Sequence, residues 1–246
     1  MDIFDLINRG KKEKVKELVD RDIQEHGRST ILNFYESKFE STPLIWAACL
    51  GRTSLVEFFL SRGADINVRD IHNRTALIWA ADRGDLEMAL CLIKHGADLE
   101  AKEKRFESTA LNWAAYMLHP PVVKALVDAG AVIDTPNKFG STALELGVGS
   151  FEITEILLKA GAHLPQSYKN ILQNWDFVKG QFSTAILFVQ YGAPVVETMF
   201  DQIRTNMGEE KEKQLRAAVK VQYTALFLSQ LFTFLFFLLG TDQKRS

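Results

Sequence analysis

This chain has little of what chemistry needs. Its 246 residues include two cysteines, Cys49 and Cys91, and five histidines, at positions 26, 72, 95, 119 and 163. The cysteines have no metal-ligand spacing, so neither a zinc site nor a disulfide framework is expected and a reducing compartment is implied. A formal charge of -2 offers nucleic acid no net attraction. There is no phosphate-cradling glycine loop with its lysine, no His-Glu-x-x-His helix and no glycine-flanked nucleophilic serine. No catalytic, cofactor-binding or metal-binding residue is therefore expected, and the chain reads as a non-enzyme that binds no nucleic acid. The opening Met1-Asp2-Ile3-Phe4-Asp5 mixes acidic with apolar residues and fits neither a secretory signal nor an acid-poor presequence.

What the chain has in plenty is repetition. STPLIWAACLG begins at residue 41, RTALIWAADRG at 74, STALNWAAYM at 108 and STALELGVG at 141. Their threonines, Thr42, Thr75, Thr109 and Thr142, are 33, 34 and 33 residues apart. A fixed period of this size marks stacked helical units rather than a single globular core. The threonine suits a helix N-cap, and Pro43 loses no bond at a first helical position. Ala47-Ala48, Ala80-Ala81 and Ala114-Ala115 allow close helix approach. Apolar stripes follow, through Leu55, Val56 and Phe59 and then Met88, Ala89 and Leu92. Gly63, Gly96, Gly130 and Gly161, each followed by alanine, suit left-handed caps after the second helix of each unit.

These residues resemble the ankyrin repeat family, whose period is about 33 residues and whose first helix opens on Thr-Pro-Leu-His. The resemblance implies an all-α fold, an ankyrin-repeat solenoid of stacked helix pairs, and protein partners instead of a substrate. It predicts N-terminal capping helices and a loop over 1–37, four repeats over 38–165 and a degenerate capping pair over 166–195. The motif histidine is replaced by Ile45, Ile78, Asn112 and Glu145. That loss predicts stacking that leans on apolar contact rather than on bonds between turns. In the fourth repeat Gly147-Val148-Gly149 follows Leu146, predicting a frayed first helix, because interior glycine costs about 1 kcal/mol relative to alanine. Asn73-Arg74-Thr75 fits a glycosylation sequon, but Asn73 suits a left-handed turn position and Thr75 a helix opening.

The end of the sequence differs in kind. An amphipathic and charged linker helix is expected over 196–222, then residues 223–240, YTALFLSQLFTFLFFLLG, carry no charge, and 241–246 form a short tail. At about 1.5 Å per residue those 18 residues reach roughly 27 Å, close to the ~30 Å hydrocarbon thickness of a bilayer. The C-terminal hydrophobic helix is therefore expected to be transmembrane, packed in lipid and beside neighbouring transmembrane helices; the other reading is a buried cap on the solenoid. Lys211, Lys213, Arg216 and Lys220 before the span place the repeats on the cytoplasmic or equivalent inner side of a single-pass membrane protein. A short span with Lys244 and Arg245 behind it is compatible with a mitochondrial membrane.

The resemblance also places partner contacts on the finger turns before each first helix and on the exposed end of that helix along the concave side. The matching finger residues are Lys38-Phe39, Ile71-His72, Arg105-Phe106 and Lys138-Phe139, three of the four turns pairing a base with a phenylalanine. The helix-end residues are Leu50, Arg83, Tyr116 and Met117. Aromatics beside cations favour interface formation. Two readings of the phenylalanines are open, contact with a partner or a ladder of rings folded onto adjacent turns. Trp46, Trp79 and Trp113 share another slot and are expected mainly to pack in the core between units.

Overall fold

Each first helix begins where a threonine ends the extended backbone of a finger. Thr42, Thr75, Thr109 and Thr142 all hold ψ between 162 and 173°. At Thr75 and Thr109 the hydroxyl accepts the N–H of Ile78 and of Asn112, both at 3.3 Å, a cap that stabilises a helix by about 1 kcal/mol. Before Pro43 the Thr42 hydroxyl is buried and bonds nothing. In the computed structural model, residues 2–35, 41–164, 181–191, 204 and 208–221 are described.

Residues 1–162 form one compact unit and 163–246 a second. The first unit is built of helix pairs: α1 (Ile3–Asn8) with α2 (Lys12–His26), α3 (Pro43–Cys49) with α4 (Thr53–Ser61), and α5 (Ala76–Arg83) with α6 (Leu86–Lys94). Then come α7 (Ala110–Tyr116) with α8 (Pro120–Asp128), and α9 (Ala143–Leu146) with α10 (Phe151–Lys159). The first helices α1, α3, α5, α7 and α9 stack in one row, and α4, α6, α8 and α10 in a second. Alanines at 47, 48, 80, 81, 114 and 115 are fully buried and set the close spacing of the inner row. Phe59, Met88, Leu92, Leu126 and Leu157 fill the space between rows. Each such large side chain contributes roughly 1.5–3 kcal/mol by leaving water. No strand occurs among the described residues.

The predicted N-terminal pair is present as α1 and α2, and the loop behind it is tied to Asp22. That carboxylate accepts the Ser29 and Thr30 hydroxyls and the N–H groups of Thr30 and Ile31, at 2.6 to 3.1 Å. Burial pushes the Asp22 carboxyl upward, but these four bonds outweigh it and bring it down to about 2.

Polar bonds along the stack correct one expectation. Backbone N–H groups of Asp65, Asp98 and Val132 donate to side chains one repeat back, Asn33, Asn67 and Glu100, at 2.8 to 3.1 Å. Asn112, which stands for the motif histidine, donates from Nδ2 to the carbonyls of Thr135 and Ser141 at 3.3 and 3.4 Å. At this slot Asn112 keeps bonds between turns, whereas Ile45 and Ile78 put buried hydrocarbon there.

The frayed helix of the last pair is visible as α9, four residues long and ended by Gly147. Gly147 is buried, and a Cβ there would fall on Ile153 Cγ2. The glycine that shortens α9 therefore also lets α10 pack against it. In the second unit, α11 (Gln181–Gln190) buries Leu187, Phe188 and Val189. A further helix covers 209–221 after Gly208, with Glu212 accepting from Arg216 at 2.9 Å. Of the predicted capping pair over 166–195, the parts at 166–180 and 192–195, and with them the predicted span at 223–240 and tail at 241–246, lie outside the described residues. Among the described residues no helix is long and apolar enough to cross a membrane.

Candidate functional site

The fingers are held by acceptors that change identity from repeat to repeat. In the first described finger Asp70 Oδ1 accepts the N–H of His72 and of Arg74 at 2.8 Å, while Oδ2 accepts Trp79 Nε1 at 3.2 Å and lies 3.4 Å from Arg74 Nε. In the next, Glu103 accepts the N–H of Arg105, Phe106 and Ser108 at 2.6, 2.6 and 3.3 Å. In the third, Asn137 Oδ1 accepts the N–H of Phe139 and Ser141 at 2.9 and 3.0 Å. The middle finger has one residue more between its acceptor and the helix threonine, and the longer glutamate reaches across it. Neighbouring fingers are joined edge to edge, Lys104 N–H to the His72 carbonyl at 2.8 Å and Lys138 N–H to the Phe106 carbonyl at 2.7 Å.

Two cavities open between fingers and first helices, and they are equivalent in the repeat. The first, about 160 Å³, is lined by Ser41, Ile45, Trp46, Cys49, Asp70, Ile71, His72, Arg74 and Trp79. The second, about 180 Å³, is lined by Phe106, Ser108, Asn112, Trp113, Tyr116, Asn137, Phe139 and Leu146. Ser41 corresponds to Ser108, Trp46 to Trp113, Cys49 to Tyr116, Asp70 to Asn137, His72 to Phe139 and Trp79 to Leu146. In the first cavity Arg74 lies 3.9 Å over the Trp79 ring and pairs with Asp70. In the second, the Phe106 ring centre is 5.9 Å from Trp113 and 6.1 Å from Phe139, and Trp113 meets Tyr116 edge-on at 6.0 Å.

Of the residues expected to touch partners, Phe106, Tyr116 and Phe139 gather in the second cavity and Ile71 and His72 in the first. Phe139 is 72% exposed and Tyr116 60%. Arg105 sits 4.9 Å from the Phe106 ring centre. Arg83, Arg105, Met117 and Lys138 are exposed but line neither cavity, and Leu50 is half-buried at the end of α3. Lys38 and Phe39 lie outside the described residues. Both readings of the phenylalanines have a counterpart here: Phe106 and Phe139 do form a ring contact across fingers, yet Phe139 remains open to solvent.

The tryptophans correct the expectation of core packing. Trp46, Trp79 and Trp113 are half-buried on the face toward the fingers. Their indoles differ in partner: Trp46 Nε1 donates to Asn8 at 2.9 Å, Trp79 Nε1 to Asp70, and Trp113 Nε1 is buried without one. The last is unpaired because Glu103, its nearest counterpart to Asp70, spends its oxygens on the finger backbone.

Sequence reading also passed over Asp70, Glu103 and Asn137, and over Leu118. Leu118 stands in the slot of Gly51 and Gly84 and holds φ 58°, with Gly51 at 66° and Gly84 at 68°. It is 48% exposed and extends the apolar surface of Tyr116 and Met117. A leucine in the left-handed region is an uncommon, strained arrangement. Asn73, at φ 58°, occupies the left-handed turn position its sequence predicts.

Burial pushes the Cys49 and Cys91 thiols up, which keeps them protonated and poorly nucleophilic. Among the described residues no group of acids, histidines and cysteines could hold a metal ion. The first three helix pairs and their fingers coincide with the match to known families: residues 4–103 fit the family described as ankyrin repeats (3 copies). No curated protein matches the chain.

Proposed function

Because this chain is an ankyrin-repeat protein, and so a protein-interaction scaffold, we propose that it is a non-catalytic accessory subunit of a membrane protein complex. Its repeat unit docks on an extramembrane surface of a partner, and residues 223–240 anchor it among neighbouring transmembrane helices and lipid. What supports docking is the exposed apolar side chains of Tyr116, Met117, Leu118 and Phe139, of which Tyr116 and Phe139 line one cavity, since exposed apolar patches on a folded unit mark interaction sites. What supports anchorage is the uncharged stretch over 223–240 behind a basic flank. In this reading the repeats face the cytoplasm or an equivalent inner compartment, and the membrane is a mitochondrial one.

Alkaline-carbonate fractionation of the intact chain beside a version ending at Gln222 tests the anchor. Retention of the first in the membrane pellet and release of the second is the expected result. Release of both refutes anchorage. Native gels after mild detergent extraction test the assembly, and migration as a free monomer contradicts the accessory-subunit reading. The exposed helix ends also favour a second reading, a tail-anchored adaptor that recruits soluble partners transiently, in which the pellet result is the same and the native complex is lost on dilution.

A further inference from the structure

The aromatic cavity has room for one side chain, and its one buried unpaired polar atom is the Trp113 Nε1 donor. Of its other polar lining, Asn112 bonds two carbonyls, Asn137 two backbone N–H groups, and the Ser108 N–H bonds Glu103. A volume near 180 Å³ compares with the roughly 150 Å³ of an apolar cavity that holds benzene. An aromatic ring fits it by size and by chemistry, beside Phe139 and against Trp113, which already meets Phe106 and Tyr116 edge-on.

The exposed charge next to Phe106 and Phe139 in the chain is mainly basic. Residues 104–107 and 138–141 carry Lys104, Arg105 and Lys138 against a single carboxylate, Glu107, and all four are exposed. Among the described residues Lys104 and Lys138 make no ion pair, and Arg105 rests on a ring, not on an acid. These cations are unspent, unlike Arg74 at the equivalent cavity, which is paired with Asp70. Opposite charges on a partner would gain attraction and faster encounter, whereas a basic partner would be repelled.

We propose that this site captures an acidic segment of a protein partner that inserts one aromatic side chain beside Phe139 and lays its carboxylates against Lys104, Arg105 and Lys138. The proposal rests on the reading of the fingers as a docking face. A single nucleic-acid strand shares the combination of rings and negative charge, but binding one needs a cationic groove that tracks a backbone, and here three cations stand on the two fingers beside one pocket.

The test uses the full chain in detergent micelles and fluorescence anisotropy with a labelled peptide of one phenylalanine flanked by three glutamates on each side. The controls are the same peptide with lysines for glutamates, one with alanine for phenylalanine, and an eight-residue oligothymidylate. The glutamate peptide is expected to bind at least tenfold tighter than each control. F139A is expected to weaken it about tenfold with an unchanged circular dichroism spectrum, and the double change K104E/K138E to invert the order of the two charged peptides. If the lysine peptide binds as well as the glutamate one and both are lost with F139A, the charge assignment is overturned while docking at the fingers stands. Binding indifferent to F139A, tighter binding of the oligonucleotide, or no binding of either charged peptide overturns the proposal itself.

Discussion

The two cavities show how one backbone frame yields a polar site and an aromatic one. Around Trp46 the polar groups satisfy one another: Asp70 takes two backbone N–H groups and an indole, and Arg74 covers Trp79. Around Trp113 the positions of Asp70, Arg74 and Trp79 carry Asn137, Ser141 and Leu146, so no cation covers a ring there, and Phe139, in place of His72, stands in solvent. Polar groups that satisfy one another leave a partner little to gain, because a ligand has to replace the bonds it breaks. Rings left in water gain by being covered. The difference between the two repeats here is thus a handful of side chains.

Removing the acceptor that holds the first finger is expected to have the largest effect. Asp70→Ala strands two backbone donors and one indole, and should cost about 3 kcal/mol in urea unfolding, whereas Asn137→Ala, whose acceptor serves two backbone donors only, should cost about 1 kcal/mol. Equal losses would dissolve the distinction between the sites. Acid provides a baseline outside both cavities. The Asp22 carboxyl is lower in the folded chain, about 2 against an ordinary 3.8, so its contribution is present above pH 4 and is lost as pH falls from there toward 2. About 2 kcal/mol should disappear in that window, and Asp22→Asn should flatten this part of the pH profile.

Leu118→Gly should act in the opposite direction. Glycine removes the strain of a left-handed leucine at φ 58°, and the melting midpoint should rise with a gain of about 1 kcal/mol, offset in part by glycine's greater chain entropy. A loss would mean that Leu118 packs in ways its 48% exposure does not convey. Smallest of all, Phe139→Ala should change stability by under about 0.5 kcal/mol, as expected of a surface residue. A drop of 2 kcal/mol would make Phe139 a structural strut of the finger ladder and remove the contrast with Asp70.

The repeat frame was legible in sequence because each of its marks answers one local need. Thr75 and Thr109 cap, the paired alanines pack, and the glycines after each second helix take positive φ, as they do at Gly63, Gly96, Gly130 and Gly161. Asp70, Glu103 and Asn137 were not legible, since three residue types perform one task and the glutamate serves a loop one residue longer. The tryptophans misled for a related reason: ring size argues for burial, but their position on the finger side leaves them half-covered. Leu118 could have been found, because it breaks a column of glycines, and a broken column is a signal of strain or of use.

The account turns on partner contact being confined to the aromatic cavity. Hydrogen exchange of the full chain in an extract of the cells that express it, compared with the purified chain, measures this most directly. Slowed exchange is predicted at the backbone of 104–107 and 138–141 in the extract, with 70–74 unchanged. Slowing at 70–74, or no difference at either finger, would contradict it.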